Sequence, residues 1–181
     1  MNRTIVLSLF AALAIAQLAV PAGMILRRET ALSRGQEYKI RVQPVDPYDA
    51  FRGRFVRLGF DVTTAPLPTD IRLAGGQKAY AVLETDSEGF AVVKSVSFTA
   101  PDGPAYLKVR LRPSGAGKAQ VIWPFDRYYM EETAAPQAEQ LYRQRARSCS
   151  AYITVRVSGG TGVITGLYLD GKPIEQGIQK P

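Results

Sequence analysis

The chain contains no histidine. That removes the side chain that most readily moves protons near neutral pH, and with it Ser-His-Asp and Cys-His catalysis and every histidine metal site. Histidine-independent chemistry would have to come from carboxylates, lysines, serines or the one cysteine. Asp126 with Glu131 and Glu132 is the densest acidic group. Adjacent residues of a strand point to opposite faces, so Glu131 and Glu132 do not share a site if a strand runs through them. A Ser-Lys dyad has Lys94, Ser95, Ser97 and Lys118 as its pieces, but Lys94 and Ser95 are strand neighbours facing apart and no nucleophile motif surrounds them. Cys149 has no partner for an intrachain disulfide and reads as a small apolar residue. Gly159-Gly160-Thr161-Gly162 lacks the lysine and helix of a phosphate loop, and reads as a hairpin turn.

The richest charged cluster is Asp46, Asp49, Arg52, Arg54, Arg57 and Asp61, on one loop and its outgoing strand, with Gly53 permitting a tight turn. Arg52 and Arg57 there form either an anion or peptide site or part of a local salt-bridge network, and the network is the simpler reading. Asp46, Asp49, Arg52, Gly53, Arg57 and Arg127 are therefore the candidate interaction or structural residues. No catalytic residue, cofactor or metal ligand set is implied. The net charge of +7 falls to +4 once Arg3, Arg27 and Arg28, which flank an apolar run, are set aside. With no lysine-rich block, zinc-ligand spacing or RNA-binding aromatic motif, nucleic acid is not an expected partner.

These residues need elements to hold them. Ile5 to Leu26 is an uncharged run interrupted only by Ser8, Gln17, Pro21 and Gly23. As a helix its length is about 33 Å, matching a bilayer core of roughly 30 Å. Arg3 followed by Ala14-Ile15-Ala16 also resembles a cleavable signal peptide, yet cleavage there would leave the apolar Gln17–Leu26 stretch at the new terminus, so a retained anchor is the preferred reading. Arg27, Arg28 and Arg34 outnumber Arg3, which by the positive-inside rule favours a cytoplasmic domain; the signal-like start and the uninterrupted domain behind it favour export. We take residues 1–28 as anchor and 29–181 as one β-rich globular domain outside the cytoplasm.

Within that domain Tyr38, Ile40 and Val42 alternate with charged residues, and Val56, Leu58, Phe60 and Val62 alternate against Arg57 and Asp61. Phe60 is expected on the buried face. Lys78–Glu84 and Phe90–Phe98 flank a turn ending in Gly89. Ala105–Arg112 points Leu107, Val109 and Leu111 inward against Lys108, Arg110 and Arg112; Ala119–Trp123 and Arg127–Met130 follow, separated by Pro124. Ala151–Val157 and Val163–Leu169 form a closing hairpin, and only Ala135–Arg147 reads as a helix, with Pro136 in its first turn and arginines in its last. The pattern predicts an antiparallel sandwich or small barrel of about eight or nine strands with one short helix, behind a transmembrane helix.

The segment Asp46-Pro47-Tyr48-Asp49-Ala50-Phe51-Arg52-Gly53-Arg54-Phe55-Val56-Arg57-Leu58-Gly59-Phe60 resembles the signature of the GDYXXLXY family of membrane-anchored bacterial proteins. Gly53 and Leu58 fit; Arg54 stands where the motif has aspartate, and Phe55 and Phe60 stand where it has tyrosines. An amino-terminal helix ending in Arg-Arg-Glu, the Asp126-Arg127-Tyr128-Tyr129 segment and the closing Leu169-Asp170-Gly171-Lys172-Pro173 extend the resemblance over nearly the whole chain. It implies a membrane anchor, a β domain and a multi-pass membrane partner, and carries no reaction. Arg54 cannot serve as proton donor or acceptor, and ring burial without phenolic hydroxyls is what the two phenylalanines retain, so the motif reads as scaffold. The resulting expectation is a membrane-tethered, non-catalytic β domain that binds another envelope or multi-pass membrane protein. The alternatives are a small-ligand or glycan binding domain using Tyr128, Tyr129, Trp123 and the loop arginines, and a histidine-independent hydrolase.

Overall fold

The computed structural model describes residues 3–44, 55–60, 63–67, 75–115, 117–131, 134–145 and 150–178. Asp46, Asp49, Arg52, Gly53, Arg54, Asp61, Val62, Glu132 and Cys149 lie outside them.

An uncharged, Leu- and Ala-rich stretch has no reason to leave a helix, and α1 runs unbroken from Arg3 to Arg34 with Pro21 inside it. Its apolar part is long enough to cross a membrane and packs against none of the domain. Only its last turns are held. Ala31 is fully buried, the Arg156 guanidinium donates to the Leu32 carbonyl at 2.5 Å, and the Gly35 amide bonds the Ala31 carbonyl at 2.9 Å.

The rest is mostly β, twelve strands among the described residues. They are β1 (Gln36–Arg41), β2 (Gln43–Pro44), β3 (Phe55–Gly59), β4 (Thr64–Pro66), β5 (Gln77–Thr85) and β6 (Ala91–Ser97). Then come β7 (Tyr106–Pro113), β8 (Lys118–Ile122), β9 (Arg127–Tyr129), α2 (Ala135–Arg145), β10 (Ala151–Ser158), β11 (Thr161–Leu169), β12 (Lys172–Pro173) and a 3-10 turn (Ile174–Gly177). The nine alternating segments are all strands. The additional β2, β4 and β12 are two or three residues long, too short for a period-2 pattern to register. Hydrogen-bonded order is β1-β10-β11-β12, β2-β3-β9 and β4-β8-β7-β5-β6. The edge strands β4 and β6 approach each other, and β1 meets the start of β6 through a Lys39–Phe90 bridge, so the sheets curl into a nearly closed barrel.

One ribbon organises this closure. Phe55 pairs with Tyr129 and Pro66 with Lys118 in the same register, and the Leu58–Asp126 and Thr63–Val121 backbone bonds keep it between them. β3–β4 and β9–β8 are thus two halves of one antiparallel pair, interrupted where Pro124 comes opposite Phe60. On its other flank β8 pairs with β7 only as far as Arg110–Ile122; two positions on, the ladder would set Pro124 against Lys108, and proline has no amide to donate. The chain peels away there, and the β10–β11 hairpin enters the opening. Its Gly160 carbonyl takes the Lys108 amide at 3.1 Å. Gly160 has φ of +82°, and a Cβ on Gly162 would lie 2.6 Å from Leu107 Cδ2 and 2.8 Å from Phe125 Cε1. The glycine-rich segment is therefore a hairpin turn whose small residues allow it to wedge between β7 and the departing strand.

The core is continuous, with Val56, Leu107, Leu111, Ile153, Val155 and Leu167 fully buried. Its one buried polar side chain among the described residues, Thr154, lies beside a β-bulge, and the Thr165 hydroxyl donates to its Oγ1 at 2.9 Å. The β5–β6 turn is tied to β1 by Arg41, which donates to Asp86 at 3.0 Å and Glu88 at 2.6 Å and lies 3.9 Å over the Phe90 ring. The Phe90 amide, Arg41 and the Glu88 amide together hold the Asp86 carboxyl below the usual carboxylate range.

Gly162→Ala is expected to destabilise the domain by about 1–3 kcal/mol, the usual cost of forcing a methyl into a filled site. The matched control Gly103→Ala meets no neighbouring atom, and carries only the strain of its own positive φ. Urea denaturation of both variants measures the difference; equal midpoints would mean that the wedge is not tight.

Candidate functional site

The motif segment forms β3, and its alternation decides what each position does. Val56 and Leu58 face inward and are buried, at 0% and 4% exposure. Phe55 and Arg57 face outward, opposite Tyr129 and Arg127 of β9. The two candidate arginines that are described, Arg57 and Arg127, are thus direct cross-strand partners on one open face, an arrangement no sequence separation of 70 residues would suggest. Asp46, Asp49, Arg52 and Gly53 fall outside the described residues.

This face is an aromatic and guanidinium patch. Phe55 and Tyr129 meet edge to face with ring centres 5.8 Å apart. The Arg127 guanidinium lies 4.7 Å from the Phe55 ring centre, and its Nε is 3.3 Å from the Asp126 carboxylate. A hydrogen bond with Tyr129 and the charge of Asp126 raise the Arg127 pKa further. Tyr129 is 66% exposed. Tyr128 points the other way, into the core, and its hydroxyl donates to Glu175 at 2.6 Å; burial first, then this carboxylate, raises its pKa and keeps the phenol neutral. Tyr128, Tyr129 and Trp123, which the ligand reading grouped, therefore occupy three different environments.

The expectation for Phe60 needs correction. It is half-buried, because β3 ends at Gly59 where the ribbon is broken opposite Pro124. Phe60 instead completes an aromatic cluster, 5.9 Å from Trp123 and 6.3 Å from Phe125, packed on the core. Lys94 is committed to Glu84 at 3.1 Å, consistent with a solvated lysine. Among the described residues no three acidic or cysteine side chains gather as a metal cage.

A second feature escaped the sequence. On the outer face of β5, β7 and β8 an open cleft of about 730 Å³ has Lys78, Tyr80, Lys108, Arg110, Trp123 and Asp126 in its lining, with Phe98 and Phe125 beside them. Lys108 and Arg110 were legible as the polar face of one strand. The register that sets Lys78 directly opposite Arg110 was not.

An exposed apolar helix leading into a nearly closed antiparallel barrel, with an arginine–aromatic strand pair on its surface, defines the class. The family model described as GDYXXLXY protein matches residues 17–167, and the chain belongs to that family. No curated protein and no solved structure matches it.

Phe60→Ala is expected to lower stability by about 2 kcal/mol, roughly half the cost of emptying a fully buried aromatic site. Arg57→Ala should change it by less than about 0.5 kcal/mol, since it removes an exposed charge facing another of the same sign. Chemical denaturation of both variants tests this ranking, and the reverse order would move the motif from scaffold to surface.

Proposed function

We propose that this protein is a membrane-tethered, non-catalytic recognition domain that binds another membrane protein through the outer face of β3 and β9. The observation that carries the reading is the cross-strand placement of Arg57 against Arg127 beside Phe55 and exposed Tyr129, on the strand bearing the family signature. Arginine and tyrosine are the side chains that most often anchor protein interfaces, because each joins a large flat contact area to hydrogen-bond donors. Two facing guanidiniums also disfavour each other, and an acidic partner segment would relieve that repulsion.

The tether is α1, spanning the bilayer, with the domain outside the cytoplasm. The length and apolarity of α1, and an apolar part that packs on none of the domain, support the tether. So does the order of its sequence, with Arg3 ahead of an uncharged run.

Two experiments test these halves separately. Protease added to intact spheroplasts should degrade the domain while a cytoplasmic control survives, and full protection until lysis would place the domain inside. For the interface, full-length protein captured in mild detergent should co-purify a membrane partner whose recovery drops at least about tenfold with Arg57→Glu and Tyr129→Ala combined, a loss of hot-spot scale. Unchanged recovery from a folded double variant would remove this face as the binding surface.

A further inference from the structure

We propose that the cleft on the outer face of β5, β7 and β8 binds a phosphate-bearing ligand, with Lys78, Lys108 and Arg110 taking the phosphate and the aromatic wall taking the group attached to it. The site is distinct from the β3–β9 face and does not depend on it.

The charges make the first argument. Lys78 and Arg110 are directly opposite in the β5–β7 ladder, and Lys108, opposite Tyr80, is diagonal to Lys78. Such neighbours lie within about 8 Å of one another on one sheet face, and like charges so placed repel. Each of these three side chains is exposed, and none pairs with a carboxylate of the described residues. Asp126, the acid bordering the cleft, turns its carboxylate to Arg127. Arg41, Lys94, Arg143 and Arg156 have carboxylate partners; Arg57, Arg112 and Lys118 have none among the described residues either, so what sets the cleft apart is that its three cations are ladder neighbours. The cleft therefore keeps a concentrated positive field that no carboxylate of the described residues pairs with directly.

Shape and lining make the second. A volume of about 730 Å³ is in the range of small-ligand sites, which run from roughly 300 to 1,000 Å³. Tyr80, Phe98 and Trp123 add aromatic surface to the lining, and Tyr80 is braced edge to face by Tyr106 at 5.5 Å. Lys108 is positioned by the wedge: a Cβ at Gly160 would lie 2.9 Å from its Cγ, so the hairpin turn is packed on its stem. A phosphomonoester presents three acceptor oxygens and up to two charges, matching one planar guanidinium and two ammonium groups better than a single carboxylate does. The phosphate could belong to a soluble ester or to a lipid headgroup; the chemistry at the cations is the same.

Trp123 is the chain's only tryptophan and lines the cleft, so its emission follows binding, with isothermal titration calorimetry as a second readout independent of its partial burial. Full-length protein in neutral detergent is titrated with glycerol 3-phosphate, with dihexanoylphosphatidic acid below its micelle concentration, and with dihexanoylphosphatidylcholine as a zwitterionic control. The expected result is a saturable change with glycerol 3-phosphate, with the phosphatidic acid, or with both, weaker at higher salt as exposed charge pairs require, and none with the control. Comparable affinity for both phosphates identifies a soluble ester, whereas response to the lipid alone identifies a headgroup. The apparent Kd should rise at least about tenfold in Lys78→Gln/Arg110→Gln, which removes two of three charge-assisted partners. Lys108→Gln gives a second, independent variant, and removing like charges should leave the denaturation midpoint unchanged or raised. Absence of a saturable change with either phosphate, or equal binding by variants and wild type, overturns the proposal.

Discussion

The closure of this barrel turns on the missing amide of Pro124. A strand residue points its N–H to one flank only, and Pro124 falls where the ladder to β7 would otherwise continue. Buried backbone groups left without partners are costly, so an interruption of this kind has to be filled from elsewhere. The β10–β11 hairpin does so on one side, through Gly160 and Lys108. Toward β3, Phe60, Trp123 and Phe125 pack as an aromatic cluster beside the end of the strand. The pairing offset is the same on both sides of the break but the inward face is not: Val56 and Leu58, at even positions, are buried before it and Ala65, at an odd one, after it. Both halves are pinned by inward alternation, so a one-residue slip would have exchanged Val56 and Leu58 for Arg57 in the core.

This constraint also explains the family signature as it stands here. Leu58 is a core residue on the inward face of β3, whereas the aromatic positions have different tasks. Phe55 is an outer-surface platform for Arg127 and Tyr129, and Phe60 plugs the broken ribbon. Neither contact needs a phenolic oxygen, which is why phenylalanine serves at both. The shared requirement is a flat ring, met once on the outside and once against the core.

How much of this was written in the sequence depends on the range of the interaction. Alternation is local, so Tyr38–Val42, Leu107–Leu111 and the closing hairpin were legible, as was the turn role of the glycine-rich segment. Phe60 was misplaced because alternation assumes that a strand continues, and the residue that ends this strand, Pro124, is 64 positions further along the chain. The same distance hid the cleft. Lys108 and Arg110 read as an ordinary solvated face until the β5–β7 register set Lys78 opposite Arg110. Arg57 and Arg127 were each singled out, but for their local company, and only pairing of β3 with β9 makes them one patch.

The distribution of ion pairs separates what holds this fold from what its surface is for. Arg41 is partly shielded, touches two carboxylates and a ring, and joins β1 to a hairpin turn from a different sheet; it has a structural task. Exposed single pairs such as Lys94–Glu84 contribute under about 1 kcal/mol each. Leaving Lys78, Lys108 and Arg110 without such partners among the described residues therefore costs little in lost attraction, and the unfavourable term is their mutual repulsion. A surface selected for stability alone would place an acid or a neutral residue at one of these ladder positions. Three cations kept together over an aromatic floor, on a stem braced by the same hairpin that closes the barrel, are better explained by an anion that arrives from outside.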